Sequence, residues 1–186
     1  MNNATKKTAL LVIDVQDSFP QREYWSPADF PAYASKQTRL IEHARNNGWQ
    51  VVYVLHNETA GAFSPESGFV RLMSFIEPKE NEPTFNKHVH NALTESGLNE
   101  WLQEQGIEKL VISGTRTEQC CETTTRVGSD MGYEVDYVLD ATLTFPMENP
   151  ITGETVSPDA IKAHTAMVLA GRFATIKNVA DYEQAE

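Results

Sequence analysis

The chain contains two cysteines, Cys120 and Cys121, which are adjacent in the sequence. They follow an apolar stretch, 109–113, that ends at Gly114, and Thr117 stands where a helix N-cap is expected. This order of strand, glycine turn and helix predicts that Cys120 lies in the first helical turn. A helix N-terminus carries partial positive charge, so a cysteine there loses its proton more easily and becomes a nucleophile. Cys120 is therefore a candidate nucleophile, although a single cysteine is more often a small buried residue.

Two charged residues complete a candidate catalytic group. Asp14 follows the apolar run 8–13, and Lys87 follows an irregular segment, 57–83. Ligand sites in parallel sheets lie at the carboxyl ends of the strands, where these residues would meet Cys120. A carboxylate there would take the thiol proton and leave a thiolate beside the ammonium, which is nucleophilic catalysis with an adjacent base. Taken singly, Asp14 also fits a cap of a helix or turn, and Lys87 fits a solvated lysine.

The elements that must position these residues alternate between strands and helices. Continuous apolar runs, typical of strands buried on both faces, predict strands at 8–13, 50–55, 109–113, 134–139 and 173–176. Helical periodicity and helix-end signals predict helices at 33–47, 97–105, 118–131 and from Ser157-Pro158 onward. This alternation predicts one domain over residues 1–186 with a three-layer α/β, Rossmann-like fold and a mainly parallel sheet flanked by helices.

The composition disfavours several classes of function. The chain has 186 residues and a formal net charge of -11, so nucleic acid and anionic membranes are poor partners. No apolar run is long enough to span a bilayer, and the N-terminal residues lack the apolar core of a signal peptide. Adjacent cysteines make a poor structural disulfide. We therefore expect a cytoplasmic protein whose partner is a small-molecule substrate.

Four segments, in this order along the chain, resemble the isochorismatase-like cysteine hydrolases, which include nicotinamidases and N-carbamoylsarcosine amidase. They are the strand motif 9–16 with Asp14, the lysine segment from Lys87 to Leu102, the nucleophile motif 114–120, and residues 132–141. The resemblance covers nearly the whole chain. It implies a six-stranded parallel sheet flanked by helices, in agreement with the predicted alternation.

The same resemblance implies a role for each residue of the candidate group. Asp14 would be the catalytic base, Lys87 would hold the thiolate and the carboxylate in place, and Cys120 would attack a carbonyl to form a thioester. A non-proline cis peptide is implied at Thr115-Arg116, where it turns backbone N–H groups toward the developing oxyanion together with Cys120.

Two residues of the nucleophile motif depart from the family pattern. Arg116 stands where the family often has a small residue, and Cys121 where it often has valine. Arg116 would contact an anionic or polar substrate, or would form a surface salt bridge with Glu118 or Glu122. We interpret Cys121 as a packing residue.

The histidines raise the question of a metal. His88 and His90 have the spacing of a same-face pair on a strand, which is a metal-ligand pattern. The nicotinamidase branch, however, places an Asp and a His after its second strand for a metal, and residues 54–58 contain no Asp-x-His. We therefore expect no metal and no cofactor, and we interpret His56 as a residue that lines the pocket.

An aromatic loop, 19–33, follows Asp14 and is expected to wall the pocket, because small-molecule sites combine apolar walls with a few polar groups. The predicted substrate-binding residues are Phe19, Tyr24, Trp25, His56, Phe63 and Arg116, with Phe145 as a further wall. Each aromatic residue also fits a loop residue that packs on the core.

The family resemblance and the long segment 142–157 favour a homo-oligomer, a dimer or tetramer. A loop of this length without structure of its own is usually functional or docked. Phe145, Pro146, Met147 and Ile151 would give it apolar surface that a neighbouring subunit covers, unless the loop folds back on its own domain.

The sequence thus predicts a cofactor-free amidase that acts on a small amide, ureido or carbamoyl compound. One alternative on the same fold is vinyl-ether cleavage of the isochorismate type, whose best-known enzymes have a non-nucleophilic residue at the cysteine position. Others are a thiol redox or regulatory protein, in which Asp14 and Lys87 would have no evident role, and a scaffold that binds a partner through the same cleft.

Overall fold

The computed structural model describes residues 6–184 of the chain. Its main sheet contains β1 (Thr8–Ile13), β2 (Gln50–His56), β3 (Thr84–Lys87), β4 (Lys109–Thr115), β5 (Glu134–Leu143) and β8 (Thr175–Lys177). Two short strands, β6 (Met147–Glu148) and β7 (Thr155–Val156), pair with each other as an antiparallel hairpin. The helices are α1 (Phe30–Asn46), α2 (Leu98–Glu104), α3 (Glu122–Asp130), α4 (Pro158–Leu169) and α5 (Val179–Glu183). A π-helical turn, Thr117–Cys121, leads into α3.

The six strands lie in the order β3-β2-β1-β4-β5-β8, and every neighbouring pair is parallel. The predicted α/β fold, with a six-stranded sheet flanked by helices, is therefore confirmed. Because the strands are parallel, the segments that follow β1, β3 and β4 emerge at the same edge of the sheet. That edge is where the predicted catalytic residues meet.

Alternate residues of the central strands pack on opposite faces of the sheet. On one face, Leu10 and Val12 of β1 join the core formed with α1 and α5. On the other face, Leu11 and Ile13 of β1 join the core formed with α2, α3 and α4. All six residues of β1 are buried, which explains why its sequence is a continuous apolar run.

The edge strand β3 was not predicted, and the reason lies in its composition. It has four residues, of which Thr84 and Asn86 are exposed, so it shows no apolar run. Pairing with β2 on one side alone stabilises it, with Phe85 opposite Val54 and Lys87 opposite His56.

Segment 142–157 also differs from the prediction of a loop without structure of its own. β5 continues through Leu143, and the β6-β7 hairpin organises the rest. Phe145 is 1% exposed, because it folds back on the aromatic residues of its own domain. Met147 and Ile151 remain exposed, at 37% and 92%. Within residues 6–184, none of the helices combines the length and the apolar character needed to cross a bilayer.

Candidate active site

Three side chains meet at the carboxyl edge of the sheet, as the spacing predicts. Asp14 follows β1, Lys87 is the last residue of β3, and Cys120 lies in the π turn after β4. Lys87 Nζ is 2.9 Å from Asp14 Oδ2 and donates a hydrogen bond to Cys120 Sγ at 3.3 Å. Lys87 is 0% exposed, so it is not a solvated lysine. A buried ammonium therefore contacts both a carboxylate and a thiol.

The backbone around Asp14 has an uncommon conformation. Asp14 has a φ of 52°, in the left-handed region that few residues other than glycine adopt. Its N–H donates to Val54 O at 2.8 Å, which anchors the residue to β2. Gly114 approaches the same turn so closely that a Cβ there would lie 1.9 Å from Ile13 O. The glycine thus allows β4 to bring Cys120 close to Asp14.

The electrostatics of the three groups correct one expectation. Burial, reinforced by the Asp14 carboxylate, raises the pKa of the Cys120 thiol, and Lys87 offsets this only in part. The prediction that a helix N-terminus makes this thiol more acidic is therefore wrong, because desolvation of the thiolate outweighs the helix dipole. The thiol keeps its proton in the resting site, so a base must take that proton as the sulfur attacks.

Asp14 is placed to be that base. Burial raises its pKa, while the neighbouring Lys87 ammonium lowers it again in part. Across the described residues, neither carboxylate oxygen has a hydrogen-bond partner of regular geometry, although Lys87 Nζ lies at ion-pair distance. Burial disfavours the charged form of Lys87, but Asp14 and Cys120 outweigh it and raise the lysine pKa. A carboxyl group with a raised pKa and free lone pairs is suited to accept and return a proton.

The turn that carries Cys120 begins differently from the prediction. The N-cap residue is Arg116, and Thr117 does not cap the helix, because its hydroxyl donates to Thr142 Oγ1 at 2.8 Å. The Cys121 N–H reaches back to Arg116 O at 3.3 Å, in the spacing of a π turn. The peptide bond Thr115-Arg116 is cis, as the resemblance implies. Cys121 is fully buried among apolar residues of the core, which agrees with a packing role.

Arg116 is buried rather than part of a surface salt bridge. It is 8% exposed, and its Nε lies 3.0 Å from Glu118 Oε1. Its guanidinium stands 5.0 Å from the ring centre of Tyr24 and 5.6 Å from that of Phe145. Within the described part of the chain, its Nε and Nη2 atoms are buried without a hydrogen-bond partner. Glu122, the other predicted partner, pairs instead with Arg126.

The predicted aromatic pocket residues form one connected cluster. Phe19, Phe63 and Phe145 are buried, whereas Tyr24 and Trp25 are half-buried and pack against them. The ring-centre distances are 5.1 Å for Phe19–Phe63, 6.2 Å for Phe19–Phe145, 5.4 Å for Tyr24–Phe145, 5.3 Å for Trp25–Phe145 and 5.9 Å for His56–Phe63. The cluster therefore runs from His56, next to Lys87, to the rings below the Arg116 guanidinium.

One residue that the sequence analysis did not single out supports this site. Gln16 is 0% exposed, and its side chain makes two hydrogen bonds with the backbone of His56. Gln16 Oε1 accepts from His56 N at 2.7 Å, and Gln16 Nε2 donates to His56 O at 3.0 Å. The available signal was an amide side chain two residues after Asp14, directly beyond the buried strand β1.

The histidines are not arranged as predicted for a strand pair. β3 ends at Lys87, so His88 and His90 lie beyond the strand, and the His90 ring stacks 6.4 Å from that of His56. Among residues 6–184, no group of three or more His, Cys, Asp or Glu side chains is placed to hold a metal ion. The expectation of a metal-free site stays a prediction.

Comparison with known proteins agrees with this architecture. Residues 8–153 match the family model for the isochorismatase domain. The isochorismatase family protein YddQ of Bacillus subtilis (strain 168) is 30% identical over 173 residues, which cover 91% of this chain and 95% of that protein. Streptothricin hydrolase of Streptomyces noursei is 29% identical over 161 residues, which cover 85% of this chain and 57% of that protein.

A solved structure of similar shape is that of an isochorismatase from Pseudomonas putida KT2440. It has a TM-score of 0.83 and 26% sequence identity, and the match covers 94% of this chain and 89% of that one. The family model spans most of the chain and the similarity to YddQ extends over nearly all of it. This chain therefore belongs to the isochorismatase family and is a hydrolase of that family.

Proposed function

We propose that this chain is a cysteine-dependent hydrolase that cleaves a C–N bond of a small amide, ureido or carbamoyl compound through a thioester. The observation that carries the proposal is the contact of the buried Lys87 ammonium with both Asp14, at 2.9 Å, and Cys120, at 3.3 Å. A redox or purely regulatory thiol needs no carboxylate base and no buried ammonium beside it. Nucleophilic attack on a carbonyl uses all three groups.

The proposed reaction has two halves, and Asp14 moves a proton in each. The Cys120 sulfur attacks the carbonyl carbon while its proton passes to Asp14. Lys87 stabilises the sulfur as it becomes negative. The tetrahedral intermediate collapses, the C–N bond breaks, and Asp14 gives its proton to the leaving nitrogen. Water then attacks the thioester with Asp14 as base, and the thiolate leaves and regains its proton. We assign the oxyanion to backbone N–H groups of the turn from Thr115 to Cys120, as the family resemblance implies.

The proposed substrate contacts are Arg116 and the Phe, Tyr and Trp rings of the aromatic cluster, which pack beside it. Apolar rings exclude water, and a guanidinium that stacks on Tyr24 and Phe145 is held rigidly. Buried N–H groups without partners are costly, and a ligand oxygen would satisfy them. We therefore propose that the substrate carries an anionic or strongly polar group that accepts from Arg116, whose ion-pair partner within the protein is Glu118.

We propose further that the chain acts without a metal or cofactor and as a homo-oligomer. For the second point, the exposed Ile151 and Met147 of the hairpin segment offer apolar surface to a second copy. Light scattering at micromolar concentration tests it, and a clean monomer near 20.8 kDa would contradict it.

Ammonia release across a panel of small amides and ureido acids tests the main proposal. Each compound is offered in anionic and neutral forms to the wild type, to Cys120→Ala and to Cys121→Ala. We expect turnover by the wild type and by Cys121→Ala, and none by Cys120→Ala. Release of ammonia by Cys120→Ala at the wild-type rate would contradict the mechanism. Pyruvate release from isochorismate, without any ammonia-releasing substrate, would favour the vinyl-ether reaction instead.

A further inference from the structure

The Lys87 ammonium has three polar neighbours, and the third takes no part in the bond-making steps of the proposed reaction. Besides Asp14 and Cys120, Lys87 Nζ lies 3.1 Å from His56 Nδ1. The contact follows from the fold, because His56 and Lys87 are register partners on the neighbouring strands β2 and β3. An ammonium has three N–H groups, one for each neighbour; His56 and Cys120 lie at hydrogen-bond distance, and Asp14 Oδ2 lies at ion-pair distance, 2.9 Å.

This arrangement defines the protonation of the His56 ring. Lys87 is an ammonium in the site, since Asp14 and Cys120 raise its pKa. An ammonium only donates, so His56 Nδ1 must be the unprotonated, accepting nitrogen. Burial and then the Lys87 charge lower the pKa of His56 to about 4, which keeps the ring neutral. The ring proton is therefore on Nε2, which lies 3.7 Å from Glu58 Oε1.

His56 is also held more firmly than a pocket wall requires. The buried Gln16 side chain binds both the N–H and the C=O of His56, at 2.7 Å and 3.0 Å. Gln16 is two residues from Asp14, so one short segment positions both the base and the backbone of His56. Asn57, the next residue, donates its N–H to Lys87 O at 2.8 Å. Hydrogen bonds therefore fix the backbones of both residues that form the Lys87–His56 contact.

We propose that His56 is a positioning residue, which accepts the third N–H of Lys87 through Nδ1 and so aims the other two at Asp14 and Cys120. Without this acceptor, a buried N–H of Lys87 has no partner, and the ammonium turns to share its remaining acceptors. The inference rests on the proposed function for its kinetic consequence. Its structural content, the direction of the Lys87–His56 hydrogen bond, is independent of any substrate.

Two substitutions separate this role from a contact with substrate. His56→Asn keeps an acceptor close to the place of Nδ1, and His56→Leu removes it. His164, an exposed residue of α4, provides the matched control His164→Asn. We expect His56→Leu to lower kcat by about 10²-fold with little change in KM, because misalignment of reacting groups has that order of effect. His56→Asn should recover most of the loss, and His164→Asn should match the wild type.

A substrate-free readout accompanies the kinetics. The rate at which iodoacetamide alkylates Cys120 is measured against pH, with the site confirmed by peptide mapping. We expect His56→Leu to move the alkylation profile to higher pH, since a misdirected ammonium supports the thiolate less, and His56→Asn to stay near the wild type. If the wild type turns over no amide but this pattern holds, the proposed function fails and the inference stands.

The tautomer is tested on the wild type alone, which covers the case in which a variant does not fold. Long-range ¹⁵N NMR at neutral pH should show Nδ1 of His56 unprotonated and Nε2 protonated. A proton on Nδ1 would overturn the inference. So would a raised KM with kcat retained in His56→Leu, which marks a substrate contact, or His56→Asn as impaired as His56→Leu, which marks a need for the ring.

Discussion

Replacing Lys87 with methionine should leave the buried Asp14 carboxylate without its counter-ion. The expected loss of folding stability follows from the burial of this ion pair. Asp14 and Lys87 are 1% and 0% exposed and lie 2.9 Å apart. Removing one partner of a buried ion pair costs about 3–5 kcal/mol, because the other charge is left uncompensated. At roughly 2–4 °C per kcal/mol for a chain of this size, Lys87→Met should melt visibly below the wild type.

The loss of stability in Lys87→Met should depend on pH, in a direction set by the Asp14 pKa. Burial already raises the Asp14 pKa, and loss of the Lys87 charge raises it further. A carboxyl whose folded pKa lies above its unfolded value stabilises the fold at low pH and loses that contribution as pH rises through the folded pKa. The deficit of Lys87→Met should therefore grow with pH, by up to about 1.4 kcal/mol per unit between the Asp14 pKa values of wild type and variant.

The double variant Asp14→Asn/Lys87→Met is the matched control, because it removes both charges and leaves similar volume. It should be more stable than Lys87→Met at high pH and yet remain inactive, since both the base and the ammonium are gone. Urea denaturation at about pH 5 and about pH 9 measures all three proteins. A deficit of Lys87→Met that does not change with pH, or a double variant no more stable than the single one, would refute the reasoning.

Three further predictions concern the rest of the site. Cys121→Ala should keep most of the turnover, because Cys121 is fully buried in the core, whereas Cys120→Ala should have none in the same steady-state ammonia assay. Arg116→Gln should raise KM for anionic substrates more than for their neutral analogues; equal effects on both would show that the guanidinium has only a structural role. Exhaustive chelation should leave activity unchanged, and activity lost on chelation and restored by zinc would contradict a metal-free site.

The central strands were predictable because a strand that is buried on both faces is a continuous apolar run in the sequence. β1 was predicted at its observed bounds, Thr8–Ile13, and β2 and β4 within two residues of theirs. β3 is not predictable in this way, because an edge strand of four residues with two exposed polar side chains has no apolar run. The resemblance to a family supplied the sixth strand that periodicity did not.

The candidate triad was predictable for a related reason, since strand ends of a parallel sheet converge whatever the loops do. The contact between His56 and Lys87 was not, because it depends on the register of β2 against the unpredicted β3. The thiol pKa was predicted in the wrong direction, because local sequence shows the helix N-terminus but not the depth of burial of Cys120. The role of Gln16 is not visible locally, because its contact with the His56 backbone joins residues that are 40 positions apart.

The most direct test of the account is to trap the thioester. Acid quenching of the wild type during turnover of an amide found by the panel, followed by trypsin digestion, yields the peptide Thr117–Arg126, which contains both cysteines. Tandem mass spectrometry should place the acyl mass on Cys120 alone, and hydroxylamine should remove it. Rapid turnover with an unmodified Cys120 under every quench time, or an acyl group confined to Cys121, would contradict the mechanism.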